Sequence, residues 1–163
     1  MSALIDLDHA ATTPVRPEVV AAMEPFAELE YGNPSGSHRL ARAAVRALDE
    51  ARERCAAVLG CAPGEVVFTS GGTESDNHAV AGGMPPRPGT PVCSAAEHHA
   101  VLDVVRALDG SVVPVDGAGR IRLDLLADEL DRLVASDRPP AVVSVMLANN
   151  EVGTITDLVE VRH

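Results

Sequence analysis

The chain has 163 residues and a formal net charge of -11; all 13 of its basic residues are arginine, and it contains no lysine. That balance excludes a basic face for nucleic acid, 46% hydrophobic residues exclude a disordered chain, and 2% aromatics exclude a platform for stacked bases. Cys55, Cys61 and Cys93 form neither a C-x-x-C pair nor a disulfide framework, and the six histidines lack metal-ligand spacing, which fits a reducing cytoplasm and predicts no metal. The N-terminus has no basic and apolar leader, and no apolar run approaches the length of a membrane span.

In chain order, Leu4 to Leu7 reads as a short extended segment, and Asp8 to Pro14 as a polar turn. Val19, Val20, Met23 and Phe26 share one face of a helix over Pro17 to Phe26, which the loop from Tyr31 to Gly36 breaks. From Ser37 or His38 to Leu59 runs the clearest amphipathic helix, with Gly60 beyond its end and Cys55 on its core stripe.

Pro63-Gly64 then turns the chain into Val66-Val67-Phe68, which reads as a buried strand, and Thr73 with Asp76 reads as a capping signature that opens a helix. Strand, glycine turn and helix N-terminus together offer unpaired N–H groups and a positive dipole end, a place where a phosphate sits well. The helix ends near Gly82-Gly83, and Met84 to Gly89 reads as a stiff surface loop.

The alternation continues with a strand over Pro91 to Ser94, a helix over Ala100 to Leu108 and a strand over Val112 to Val115. Asp116 to Gly119 turns, Leu123 to Val134 is helical, and Ala141 to Leu147 is a strand whose near-continuous apolarity predicts cover on both faces. Alternating strands and helices predict an open, mainly parallel α/β sheet with flanking helices, whose ligands gather beyond the carboxyl ends of the strands. Three stretches qualify: Gly71 to Thr73, Ala96 to His99, and Ala148 to Gly153.

Taken together, five ordered motifs resemble the cysteine desulfurases of the class V aminotransferase group. They are Leu7 to Pro14; Gly32-Asn-Pro-Ser35 with Ser37-His38; Val67 to Asn77; Glu97-His98 with Ala100 to Asp103; and Asn149-Asn-Glu-Val-Gly153. The resemblance implies the N-terminal part of the large domain of the aspartate-aminotransferase type (fold type I), with residues 1–35 an N-terminal segment and loop near the site and 36–163 an incomplete cofactor domain. It implies pyridoxal 5'-phosphate as cofactor, with Gly72 and Thr73 holding the phosphate, His98 stacking on the pyridine ring and shuttling protons, and Asn150 bonding the ring's phenolic oxygen.

The reaction so implied takes sulfur from L-cysteine as an enzyme persulfide and releases alanine, with a sulfur-acceptor protein as possible partner. A homodimer, or an assembly with a separate C-terminal half, is implied as well. Against the pattern, this sequence lacks the Schiff-base lysine, the aspartate that pairs with the pyridine nitrogen and the persulfide cysteine, so the chain alone is expected to be inactive. The helix opening at Thr156-Asp157 stops at His163 without a completed packing face, which reads as a truncated product, half of a split enzyme or a cofactor-free scaffold. Within the same group, a selenocysteine lyase or an epimerase is the alternative activity.

Overall fold

The computed structural model describes residues 5–83 and 89–162. These fall into two compact units, Met1–Phe68 and Thr69–His163.

In the first unit, α1 (Pro17–Glu28) starts on a proline at its first turn, where a missing N–H costs nothing. Its predicted apolar face forms but buries no residue: Val20 is 53% exposed and Met23 62%. The longer α2 (Arg39–Leu59) is capped by His38, whose Nδ1 accepts from the N–H of Ala41 at 3.4 Å. It ends at Gly60, with φ +71 in the left-handed region where glycine carries no Cβ penalty. Ala41, Ala44 and Ala56 are its buried positions, while Cys55, expected in the core, is only half-buried. Gly32 lies so close to the start of α2 that a Cβ there would meet the Leu40 carbonyl.

Val66 to Phe68 departs from the sequence expectation. The segment is extended but joins no ladder among the described residues, with Val67 64% exposed and Phe68 45%. An apolar run becomes a strand only when a neighbour takes its backbone groups, and here Arg52 substitutes for one. Its Nε donates to the Val66 carbonyl at 3.3 Å, and its guanidinium lies 5.3 Å from the centre of the Phe68 ring. The extended reading of residues 4–7 also forms no strand over its described part: Leu7 is 91% exposed and Leu4 lies outside the described residues. The loop expected at 84–89 lies outside them too, save for Gly89.

The second unit is the α/β layer. Its sheet has three parallel strands in the order β2 (Ser111–Val113), β1 (Thr90–Ser94), β3 (Pro140–Ser144). The helices α3 (Gly72–Gly82), α4 (His99–Ala107) and α5 (Leu123–Ala135) supply the flanks, and the short α6 (Leu158–Arg162) follows, with Asp157 Oδ1 accepting from the Val159 N–H. The central strand β1 is buried at every position, as a strand covered on both faces should be. Burial pushes the Cys93 thiol up to about 11, so this cysteine packs as an inert apolar group.

Ala141 to Leu147 departs from the two-faced cover that its apolarity predicts. That strand is shorter, stands at the edge and leaves Val143 40% exposed, because β1 covers one of its sides only and the chain turns away after Ser144. Two apolar clusters hold the layer. Val80, Cys93, Val101, Leu102 and Val105 join α3 and α4 to β1; Val92, Val113, Ile121, Leu126 and Leu133 join α5 to the sheet.

Candidate functional site

The carboxyl ends of β1 and β3 open onto a cavity of about 340 Å³. Ala95 to His99 form one wall and Asn149 to Val152 another, with Val115 and Gly119 completing the rim. His98 and Asn150, predicted from sequence to act on one ring, therefore line one cavity.

His98 stands at the N-cap of α4, and its Nδ1 accepts from the Ala100 N–H at 3.1 Å. An accepting Nδ1 places the ring proton on Nε2 and fixes the imidazole plane of this exposed, cavity-lining residue. The identical neighbours Asn149 and Asn150 do different work. Asn149 Oδ1 accepts from the N–H groups of Glu151 and Val152, both at 2.9 Å, and its Nδ2 donates to the Ala96 carbonyl at 2.9 Å. It welds the two walls together. Asn150 is exposed and forms no side-chain hydrogen bond among the described residues, which leaves its amide for a ligand. Sequence reasoning overlooked Asn149 as a structural residue, since nothing local distinguishes one asparagine from the next.

Gly72 and Thr73 do not line this cavity. They form the exposed first turn of α3, linked through Asn77 to the first turn of α4 just past the His98 wall: the Asn77 Nδ2 donates to the Thr73 carbonyl at 2.8 Å and to the Ala100 carbonyl at 3.1 Å. The capping signature read at Thr73 and Asp76 is displaced: the N-cap is Gly71, with extended backbone, and Thr73 is already helical. The reaching acid is Glu74, which accepts from both the N–H and the hydroxyl of Ser70 at 2.7 and 2.6 Å. These bonds from Ser70 hold the Glu74 carboxyl below its usual range. No side chain caps the α3 N–H groups, and a Cβ at Gly71 or Gly72 would meet nothing within 4 Å. An anion can therefore approach that backbone.

Beneath the His98 wall, Glu97 Oε1 is buried without a hydrogen-bond partner. Burial pushes the Glu97 carboxyl above its ordinary value, and Asp76 on α3 adds repulsion; the Met146 N–H and the Ser144 hydroxyl oppose the shift. Folding then favours the protonated acid. The cost of the charge is absent below the ordinary carboxyl range and grows as pH rises through the folded-state value. Glu97→Gln is expected to raise the melting temperature at pH 8 by ~2–4 °C, the shift of roughly 1 kcal/mol, and to leave it unchanged near pH 4. Equal shifts at the two pH values in thermal melts would contradict this.

Open polar groups at the carboxyl edge of a parallel sheet, beside an uncapped glycine-led helix, are an arrangement that α/β proteins use to bind cofactors or nucleotides. The comparisons narrow it. The class V aminotransferase family model matches residues 5–163, and the chain belongs to that family.

It is 40% identical over 162 residues to cysteine desulfurase IscS of Dictyoglomus turgidum, covering 94% of this chain and 40% of that protein. It is 43% identical over 166 residues to an IscS-like cysteine desulfurase of Mycobacterium tuberculosis, covering 94% and 41%. Among solved structures, a NifS-like protein superposes with a TM-score of 0.78 at 39% identity, covering 95% of this chain and 43% of that one. The apo cysteine desulfurase of Thermococcus onnurineus superposes at 0.74 and 26%, covering 94% and 39%. The chain thus spans about two fifths of the length of the relatives it matches, and its α/β fold is the one the resemblance implied.

Proposed function

We propose that these residues are the cofactor-gripping part of a pyridoxal-phosphate-dependent cysteine desulfurase that takes sulfur from L-cysteine. The observation that carries the reading is the shared cavity of His98 and Asn150 at the strand ends, one hydrogen-bond bridge away from the uncapped turn at Gly72-Thr73. The turn's N–H groups and the Thr73 hydroxyl bind the phosphate. His98 sets the ring plane and holds a proton at Nε2, positioned to pass it to or from a reacting carbon. Asn150 donates to the phenolic oxygen. Bound there, the pyridine ring supplies the electron sink for bonds broken at the substrate.

The amine that would hold this cofactor covalently comes from outside these 163 residues, which contain no lysine. On this reading the working enzyme is a homodimer or an assembly that brings a C-terminal half, and its sulfur passes to an acceptor protein. Pyridoxine 5'-phosphate, which lacks the aldehyde and so forms no adduct with Cys55 or Cys61, is the probe of choice. Fluorescence titration is expected to show saturable binding, weakened roughly tenfold in Thr73→Ala and in His98→Ala, about what the loss of one hydrogen bond to a charged or desolvated group costs. A cofactor-free scaffold is the other reading: binding that fails to saturate, or that both variants leave intact, would select it instead.

A further inference from the structure

Asn150 is a free side chain on an exposed hairpin, and a recognition group so placed needs something to hold its backbone still. The hairpin is narrow. Ala148 and Ile155 form an antiparallel bridge, Asn149 N–H donates to the Thr154 carbonyl at 2.9 Å, and Gly153, at φ +73, turns the chain so that its N–H donates to the Asn149 carbonyl at 3.0 Å. One face rests on a second turn, residues 116–120, which comes from a different part of the chain.

That second turn is rigid for reasons of its own. Asp116 Oδ1 accepts from the N–H groups of Ala118 and Arg120 at 2.8 and 2.9 Å, and Val115 bridges Ile121. Ile121, 7% exposed, is sunk in the core cluster with Val92, Val113, Leu126 and Leu133. One hydrogen bond joins the turns, and Gly119 lies close against the hairpin. The Thr154 hydroxyl donates to the Ala118 carbonyl, and a Cβ at Gly119 would stand 3.3 Å from Val152 Cγ2, tighter than an ordinary contact. Gly119 also holds φ +76, where an L side chain is strained.

We infer that Thr154 and Gly119 are positioning residues for ring recognition: the 116–120 turn is a strut that carries the rigidity of the core to the hairpin and fixes Asn150 against the cavity. The inference rests on the reading of Asn150 as a ring-binding residue. It adds two residues, 35 positions apart in sequence: Thr154, outside the cavity lining, and Gly119, on the cavity rim.

Thr154→Val keeps the shape and removes the donor; Thr154→Ser restores the donor. With pyridoxine 5'-phosphate as probe, Thr154→Val is expected to weaken binding roughly fivefold, Thr154→Ser to stay within about twofold of the parent, and inorganic phosphate to bind unchanged. In an Asn150→Ala background, Thr154→Val should add no further loss, since a positioning residue has nothing left to position. Gly119→Ala, which presses a methyl onto Val152, should weaken the same probe. Additive losses, or an equal loss for inorganic phosphate, overturn the inference.

If Asn150→Ala alone has no effect, the ring-binding reading fails, and the strut is judged separately by amide exchange. Faster exchange at Glu151 to Gly153 in Thr154→Val would sustain it, and unchanged exchange would overturn it whatever the probe does.

Discussion

Asn149→Ala is expected to lower the melting temperature of the α/β unit by about 4–8 °C, whereas Asn150→Ala leaves it within about 1 °C. Asn149 engages both ends of its amide: two backbone donors on the oxygen and the Ala96 carbonyl on the nitrogen. Each such bond contributes about 0.5–1.5 kcal/mol net, and solvent recovers part of the loss at an exposed hairpin, so about 2 kcal/mol is lost in total. The bond to Ala96 spans 53 positions and joins the segments that follow β1 and β3. Its removal should also weaken pyridoxine 5'-phosphate, because the two cavity walls lose their tie. Thermal melts of both variants decide the matter, and similar melting temperatures would show that the division of labour between the two asparagines is wrong.

Leu133→Ala should be costlier still. Leu133 is fully buried at the end of α5 among Val92, Val113, Ile121 and Leu126. Truncating a leucine in such a place costs about 3 kcal/mol, the transfer term plus the cavity left behind, or roughly 6–12 °C. Because Ile121 belongs to the same cluster and anchors the 116–120 turn, the damage should reach Asn150. Chemical denaturation with the probe absent and present separates the two effects. A loss under about 1 kcal/mol would mean that the cluster collapses around the gap and that the turn is held by other contacts.

The helices were legible because their information is local. The apolar spacing of α4 and α5 gave bounds within one residue of those observed, and Gly60 marked the end of α2. What failed was whatever depends on a distant partner. Val66-Val67-Phe68 is wholly apolar and Ala141 to Leu147 nearly so, yet a strand exists only where a neighbour completes its ladder, and burial on two faces depends on its rank in the sheet.

The helix start after Ser70 was placed correctly and its capping was not, since Gly71 needs no side chain to begin a helix and leaves no capping letter in the sequence. At the site, His98 and Asn150 were readable from motif and strand position. Asn149, Glu97 and Thr154 were not, because their contacts lie in residues 36 to 53 positions away or, for Glu97, in the burial of one oxygen.

The place of β1 between two parallel neighbours also sets a timetable for synthesis. Its outer partners are not equally prompt: Cys93 pairs with Val112, but its other side waits for Ser144, about fifty residues further on. At the ~5–20 residues per second of translation, the most deeply buried of the described strands spends several seconds with one edge open. During that interval a nascent chain is vulnerable to pairing with a neighbouring copy, and chaperone capture would be most useful there.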